Sequence, residues 1–393
     1  MLSTALAPWP CYSEEEAEAV KQVLLSNKVN YWTGEHCRLF EQEFATWCDC
    51  CYAVAVANGT LALDAALAAL DVGANDEVIV PPRTFIASVS SVVNAGATPV
   101  FADVDLNSQN LTAESIAKVL TPKTKAVIVV HLAGMPADMD PIMALAKQHG
   151  FAVIEDCAQA HGARYKGRSV GSLGHIAAWS FCQDKIMTTG GEGGMVTMND
   201  EQLWQRVWSL KDHGKSYEAV YQRQHPPGFR WLHDSFGHNW RMMEVQAVIG
   251  RLQLKKMSEW TRQRQQNAAA LDAVAQKFTA IRTVDVPSYC CHAEYKHYFF
   301  VRPELLLPGW SRERICEEIS SFGIPCMPGS CSEVYLEKAF DSTSWRPQQL
   351  LSGTRELGKT SMMMLVHPGI TKKQLDFCTK TLTQVLSAAS PMR

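Results

Sequence analysis

AVIVVHLAGMPADMDPIMALAKQHGFAVIEDCAQ, residues 126–159, is the stretch whose reading decides the fold. Ala126–His131 is a short apolar run rich in β-branched residues, Pro141–His149 has helical spacing, and Ala152–Glu155 is apolar until its final acid. Two short strands joined through one helix make a βαβ unit, with parallel strands and the helix laid on one face of the sheet. The alternation continues upstream. Ala53–Ala57 (AVAVA), Glu77–Val80 (EVIV) and Pro99–Ala102 read as strands, with helices over Leu61–Leu70, Ala87–Asn94 and Ala113–Leu120. Before them, Ser13-Glu14-Glu15-Glu16 fits a capping box, and Phe40, Phe44 and Trp47 share a helical face. Downstream the pattern changes to a strand beginning near Ala177, a glycine-rich turn, and a strand over Gly194–Met198. A long helix is expected from about Met243 to Gln266, and then strands such as His297–Val301 mix with helices such as Arg312–Phe322. The segment Lys215–Gly237 has weak periodicity and reads as a mobile loop. The expected class is α/β, a mostly parallel sheet with helices on both faces.

The chain has 393 residues, 47% of them hydrophobic. A single core stops growing at roughly 250–300 residues, so two lobes are expected, a large one over 1–255 and a smaller α+β one over 256–393. A net charge of -3, from 37 basic and 40 acidic residues, lacks the basic footprint of a nucleic-acid binder. MLSTALAPWPCYSEEE has neither a basic nor an apolar leader region, and no apolar run is long enough to span a membrane. Cytoplasm is therefore the expected location. The 13 cysteines include Cys48, Cys50 and Cys51, and Cys290–Cys291, but no repeated pairs at zinc-ligand spacing. They read as reduced, mostly buried thiols, and no metal is expected.

Three features fall where strands end, the edge at which open α/β sheets bind ligands. Asn58-Gly59-Thr60 joins a strand to a helix start. Free N–H groups there suit a phosphate, although a plain glycine turn with an N-cap has the same sequence. Ile154-Glu155-Asp156-Cys157-Ala158-Gln159 ends a buried strand in two carboxylates. Alternation lets one of them face a pocket and pair with a cationic ring nitrogen; a solvated acid is the alternative. Ser180-Phe181-Cys182-Gln183-Asp184-Lys185 precedes Thr188-Thr189-Gly190-Gly191-Glu192-Gly193-Gly194. Glycine density permits a tight turn that projects Lys185, against the alternative of a surface lysine beside a turn. The five-residue separation of Ser180 and Lys185 excludes an S-x-x-K hydrolase at this place. A phosphate cradle, an acid and an amine are together what pyridoxal 5'-phosphate (PLP) requires of a protein.

The sequence resembles the DegT/DnrJ/EryC1/StrS family of sugar aminotransferases, PLP enzymes of fold type I, over nearly its whole length. The resemblance is carried by ANGTLAL (57–63), DEVIVPPRTFIAS (76–88), VIEDCAQAHGA (153–163), SFCQDKIMTTGGEGGMVT (180–197) and GHNWRMMEVQAVIGRLQL (237–254), with echoes in YFFVRP (298–303) and HPGIT (367–371). It implies that Lys185 carries the cofactor as a Schiff base and shuttles the proton, and that Asp156 keeps the pyridine nitrogen protonated. It further implies Gln159 near the ring's phenolic oxygen, Phe85 stacked on the ring, and Gly59, Thr60 and Ser180 on the phosphate. Asn239 matches a family asparagine that reaches the phosphate from the neighbouring subunit, which implies a homodimer. The chain departs from the family's T-G-E-G-G turn by one extra glycine at Gly190-Gly191. The loop 215–236, with Tyr217, Arg223, His225, Arg230 and His233, exceeds the minimal family connection and suits either nucleotide-sugar contact or cover of a dimer edge.

The activity implied is transfer of an amino group from an amino acid, L-glutamate by preference, through pyridoxamine phosphate to a keto-sugar nucleotide. A 4-keto-6-deoxy sugar is preferred over a 3-keto sugar. Family dehydratases carry histidine at the lysine position, so Lys185 opposes that rival. A cysteine desulfurase would place histidine where Phe85 stands. A non-catalytic sensor would need neither Lys185 nor Asp156, and both are present.

Overall fold

The computed structural model describes residues 5–225 and 231–392. Arg230, named above in the long loop, and the first four residues of the leader stretch lie outside the described residues. The main sheet contains β1 (Tyr52–Val56), β2 (Glu77–Val80), β3 (Thr98–Phe101), β4 (Thr124–Val130), β5 (Ala152–Asp156), β8 (Ile176–Ser180) and β9 (Gly194–Met198), in the order β1-β9-β8-β5-β4-β2-β3. β9 is antiparallel to both neighbours and the remaining adjacent pairs are parallel, so six strands end at one edge. The expected α/β class is therefore observed.

Strand alternation builds the two faces. Val54, Val56, Ile128, Ile154 and Ala178 pack on one side with the helices Gly59–Ala69 and Ala87–Asn94. Ala53, Ala55, Ala177, Trp179 and Met195 face the other side, where Phe40 and Phe44 of the helix His36–Trp47 fill the layer. Burying each such Val, Ile or Phe stabilises by about 1.5–3 kcal/mol before chain entropy is counted. The Ser13 capping box at the helix Glu14–Leu25 is present as expected.

A second sheet follows the order β10 (Ile281–Thr283), β12 (His297–Val301), β14 (Ser361–Met364), β13 (Cys326–Met327), all antiparallel. Its core joins Phe299, Val301, Met362 and Met364 to the helices Arg312–Ser321 and Lys372–Ala389. A small third sheet joins β6 (Arg164–Tyr165), β7 (Arg168–Ser169) and β11 (Cys290–Cys291). The bridging helix runs over Glu244–Ala275, longer than expected from the sequence, and contributes to both hydrophobic cores. The N-terminus also crosses between them, since Leu6 is buried in the second core while Trp9 packs on Trp260. Part of the segment expected to be a loop is helical. Tyr217–Tyr221 forms a helical turn capped by Ser216, with Tyr217 against Trp204 and Trp208. Its aromatic residues gain order by packing on the helix Glu201–Leu210, a tertiary effect that periodicity does not register.

Candidate active site

At the shared edge of the main sheet lies a cavity of about 1090 Å³, closed on its far side by the second sheet. Asn58 caps the helix Gly59–Ala69 by accepting a hydrogen bond from Leu61 N at 3.0 Å. The N–H groups of Gly59 and Thr60 belong to the first helical turn, where no intrahelical acceptor exists. Both residues line the cavity, as does Ser180 at the end of β8. A Cβ on Gly59 would come within 2.5 Å of Ser180 Cβ, so a side chain there would fill the floor of the cradle.

The two carboxylates at the end of β5 separate to opposite faces. Asp156 lines the cavity, held by Ser88 Oγ donating to Oδ2 at 2.8 Å and Ala158 N donating to Oδ1 at 3.1 Å. Glu155 is fully buried on the other face, 2.9 Å from His131 Nε2 and accepting from the backbone N–H of Gly171, Leu173 and Gly174. Burial raises its pKa, but these donors outweigh that effect and hold it below the usual carboxylate range. Glu155 therefore organises the turn at 171–174, and Asp156 is the acid the cavity sees.

Lys185 lines the same cavity, with its ammonium 5.1 Å from the Tyr295 ring centroid. Its backbone is fixed by two contacts: its N–H donates to Cys182 O, and Trp9 Nε1 donates to its carbonyl at 2.8 Å. The glycines of the following turn divide into two uses. Gly190 and Gly191 have φ of 85° and 114°, which β-carbon-bearing residues rarely adopt. At Gly193 and Gly194 a side chain would collide with Thr189 Oγ1 and with the carbonyl of Asn58. The extra glycine is thus accommodated by two successive positive-φ residues, and the turn closes through Thr189 Oγ1 donating to Glu192 O at 2.6 Å.

Phe85 stands at the cavity rim, 69% exposed. Gln159 lines the cavity while its Oε1 accepts from Ala133 N at 2.8 Å, which leaves the amide NH₂ free to turn inward. Asn239 is exposed and pairs with Asp212 in a backbone bridge, away from the cavity of its own chain. The cavity thus gathers Gly59, Thr60, Phe85, Asp156, Gln159, Ser180 and Lys185 from four separate stretches, and Asn239 stays outside.

Sequence reasoning missed Ser88, Trp9, Tyr295 and Lys296. Ser88 lay within a quoted stretch, but nothing local marks it as the partner of a carboxylate 68 residues away. Tyr295 donates its hydroxyl to Asp184, and Lys296 lines the cavity beside it. His161 sits buried between Trp179 and Phe181. Burial first, then the positive Lys185 and Arg264, push its pKa down to about 3, so it is neutral.

A helix-start cradle with no room for a side chain, a carboxylate held by two donors and a lysine amine with no ion pair among the described residues fit PLP. Fold and cavity together define a PLP enzyme of fold type I. The comparisons agree. The DegT/DnrJ/EryC1/StrS aminotransferase family matches residues 10–383. GDP-perosamine synthase of Caulobacter vibrioides is 35% identical over 356 residues, 88% of this chain and 89% of that one. A dTDP-3-amino-3,6-dideoxy-alpha-D-galactopyranose transaminase of Aneurinibacillus thermoaerophilus is 38% identical over 294 residues, 74% and 76% of the two chains. The crystal structure of an aminotransferase from Psychrobacter cryohalolentis has a TM-score of 0.94 at 59% identity, covering 97% of this chain and 99% of that chain. This chain belongs to the DegT/DnrJ/EryC1/StrS aminotransferase family, and its cofactor is pyridoxal 5'-phosphate.

Proposed function

We propose that this aminotransferase moves an amino group from L-glutamate to a keto-sugar nucleotide, by preference a 4-keto-6-deoxy sugar, in the cytoplasm, for surface polysaccharide or natural-product sugar synthesis. The observation that carries the reading is the meeting of Lys185 and Asp156 in one cavity with the Gly59–Thr60 cradle. The family match and the nucleotide-sugar names of two relatives support the substrate class. When bound, PLP supplies an electron sink that makes the donor's α-proton labile. Gly59 N–H, Thr60 N–H and Ser180 Oγ would hold its phosphate. Asp156 would keep the ring nitrogen protonated, and Ser88 and Ala158 orient that carboxylate. Lys185 would hold the cofactor through Nζ and, once freed, would carry a proton on Nζ between the donor's α-carbon and the cofactor; Trp9 pins the backbone behind it. Phe85, at the cavity rim, would cover the ring and shield it from water. In this proposal Asn239 serves the site of a partner copy in a homodimer, and the molecule divides into a large lobe over 1–255 and a small lobe over 256–393.

The test is product analysis. The enzyme, PLP and L-glutamate are incubated with UDP-, GDP- and dTDP-linked 3-keto and 4-keto sugars, and products are read by mass and NMR. The expected product carries a new amine at C4 and appears with 2-oxoglutarate. Amination at C3 would shift the reading to the 3-keto alternative, and loss of a hydroxyl without amination would refute it in favour of a dehydratase.

A further inference from the structure

Lys296 immediately precedes β12, and the alternation of that strand sends residues 296 and 298 to the cavity while 297 turns away. The second lobe thereby places a lysine opposite the lysine of the Gly-rich turn. The Lys296 ammonium lies 4.7 Å from the Tyr295 ring centroid and that of Lys185 lies 5.1 Å from the same ring. Among the described residues the Lys296 ammonium makes no hydrogen bond and no ion pair. Asp184, the carboxylate that faces it, is already engaged by the Tyr295 hydroxyl. Arg264, fully buried behind Tyr295, adds a third cation; among the described residues its hydrogen bonds go to the carbonyls of Glu294 and Tyr295, and its guanidinium lies 5.0 Å from the Trp9 ring centroid. Largely buried cations without a counter-ion are unfavourable. Burial chiefly, with Arg264 and Lys185 reinforcing it against Asp184, pushes the Lys296 pKa down to about 8. An arriving anion would relieve this crowding.

We propose that Lys296 is the anion-recognising residue of the substrate subsite, its ammonium pairing with a carboxylate of the amino donor or with the diphosphate of the nucleotide sugar. This rests on the aminotransferase reading of the cavity and assigns a residue that the cofactor does not employ. The cofactor phosphate is served elsewhere, by the helix start at Gly59–Thr60.

The test compares wild-type holoenzyme with Lys296→Met and Lys296→Arg. Affinities for glutarate, a dicarboxylate that cannot transaminate, and for UDP and GDP are measured by calorimetry. KM and kcat are measured separately for each half-reaction. The Met variant should keep the visible band of the lysine-bound cofactor. It should weaken one probe by about tenfold or more and raise KM for the corresponding substrate by a similar factor, with kcat changed less. The Arg variant should restore most of the loss. Weaker glutarate binding assigns the carboxylate, and weaker nucleotide binding assigns the diphosphate. Unchanged affinity for both probes, no rescue by arginine, or loss of the visible band in the Met variant would overturn the proposal. A wild-type holoenzyme that transaminates nothing defeats the activity reading instead, and the calorimetric arm still decides Lys296.

Discussion

One peptide bond separates Glu155 from Asp156, and strand geometry sends their carboxylates to opposite faces of the sheet. Glu155 is fully buried among four donors, so its removal leaves a buried histidine and three backbone N–H groups unmatched. Glu155→Ala should lower unfolding stability by about 3–5 kcal/mol, read by chemical denaturation. Asp156→Ala should unfold within about 1 kcal/mol of wild type without cofactor, yet lose roughly a hundredfold or more in turnover and weaken PLP binding. Equal effects of the two substitutions on stability and turnover would contradict this division. Residue pattern alone narrows the pocket acid to two candidates, and only the family resemblance chooses Asp156, because the choice depends on which face the strand turns to the cavity. Lys185 was legible because four glycines in five positions are hard to explain otherwise. Trp9 and Ser88 were not, since their partners lie 176 and 68 residues away and no local spacing encodes such meetings.

At the scale of the element, β12 carries both a cavity wall and a buried charge. Its His297 contacts Asp272 Oδ1 at 2.9 Å and Glu294 Oε2 at 3.0 Å. Burial alone would lower the pKa of His297, but the two carboxylates prevail and push it up to about 10 from an ordinary 6.5. A raised folded-state pKa contributes stability that is complete below about pH 6.5 and lost as pH climbs through about 10. Wild-type stability should therefore fall between pH 7 and 10 more steeply than that of His297→Gln, as denaturation across that range would show. Parallel slopes would mean that His297 is not charged in the folded protein. Periodicity identified this strand within its observed bounds, and the main-sheet strands to within a residue or two, because apolar runs two-sidedly buried leave little ambiguity. It did not identify the helical turn Tyr217–Tyr221, whose order comes from Trp204 and Trp208 rather than from its own sequence.

For the whole molecule, the exposed aromatic residues near Asn239 are informative. Phe236 is 100% exposed and Trp231 74%, values that suit a surface covered by another copy of the chain. If Asn239 completes the partner's site, chains carrying Lys185→Ala and Asn239→Ala should complement each other. Random reassortment of equal amounts puts one intact site in half of the dimers, so mixing should restore about a quarter of wild-type activity. No recovery after verified subunit exchange would place Asn239 in its own chain's chemistry or in none. The expectation of a homodimer rests on family resemblance alone, because a surface asparagine carries no local mark of a neighbouring subunit.

The central claim is that Lys185 holds PLP and passes an amino group through it. It is tested most directly by the absorbance spectrum of purified protein with PLP, before and after L-glutamate, for wild type and Lys185→Ala. Wild type should show a visible band that converts to the shorter-wavelength pyridoxamine form on adding glutamate and returns with an accepted keto-sugar nucleotide. Lys185→Ala should lack that lysine-bound band and have no turnover. A wild-type protein that stays colourless with PLP, or a Lys185→Ala protein with substantial turnover, would contradict the account.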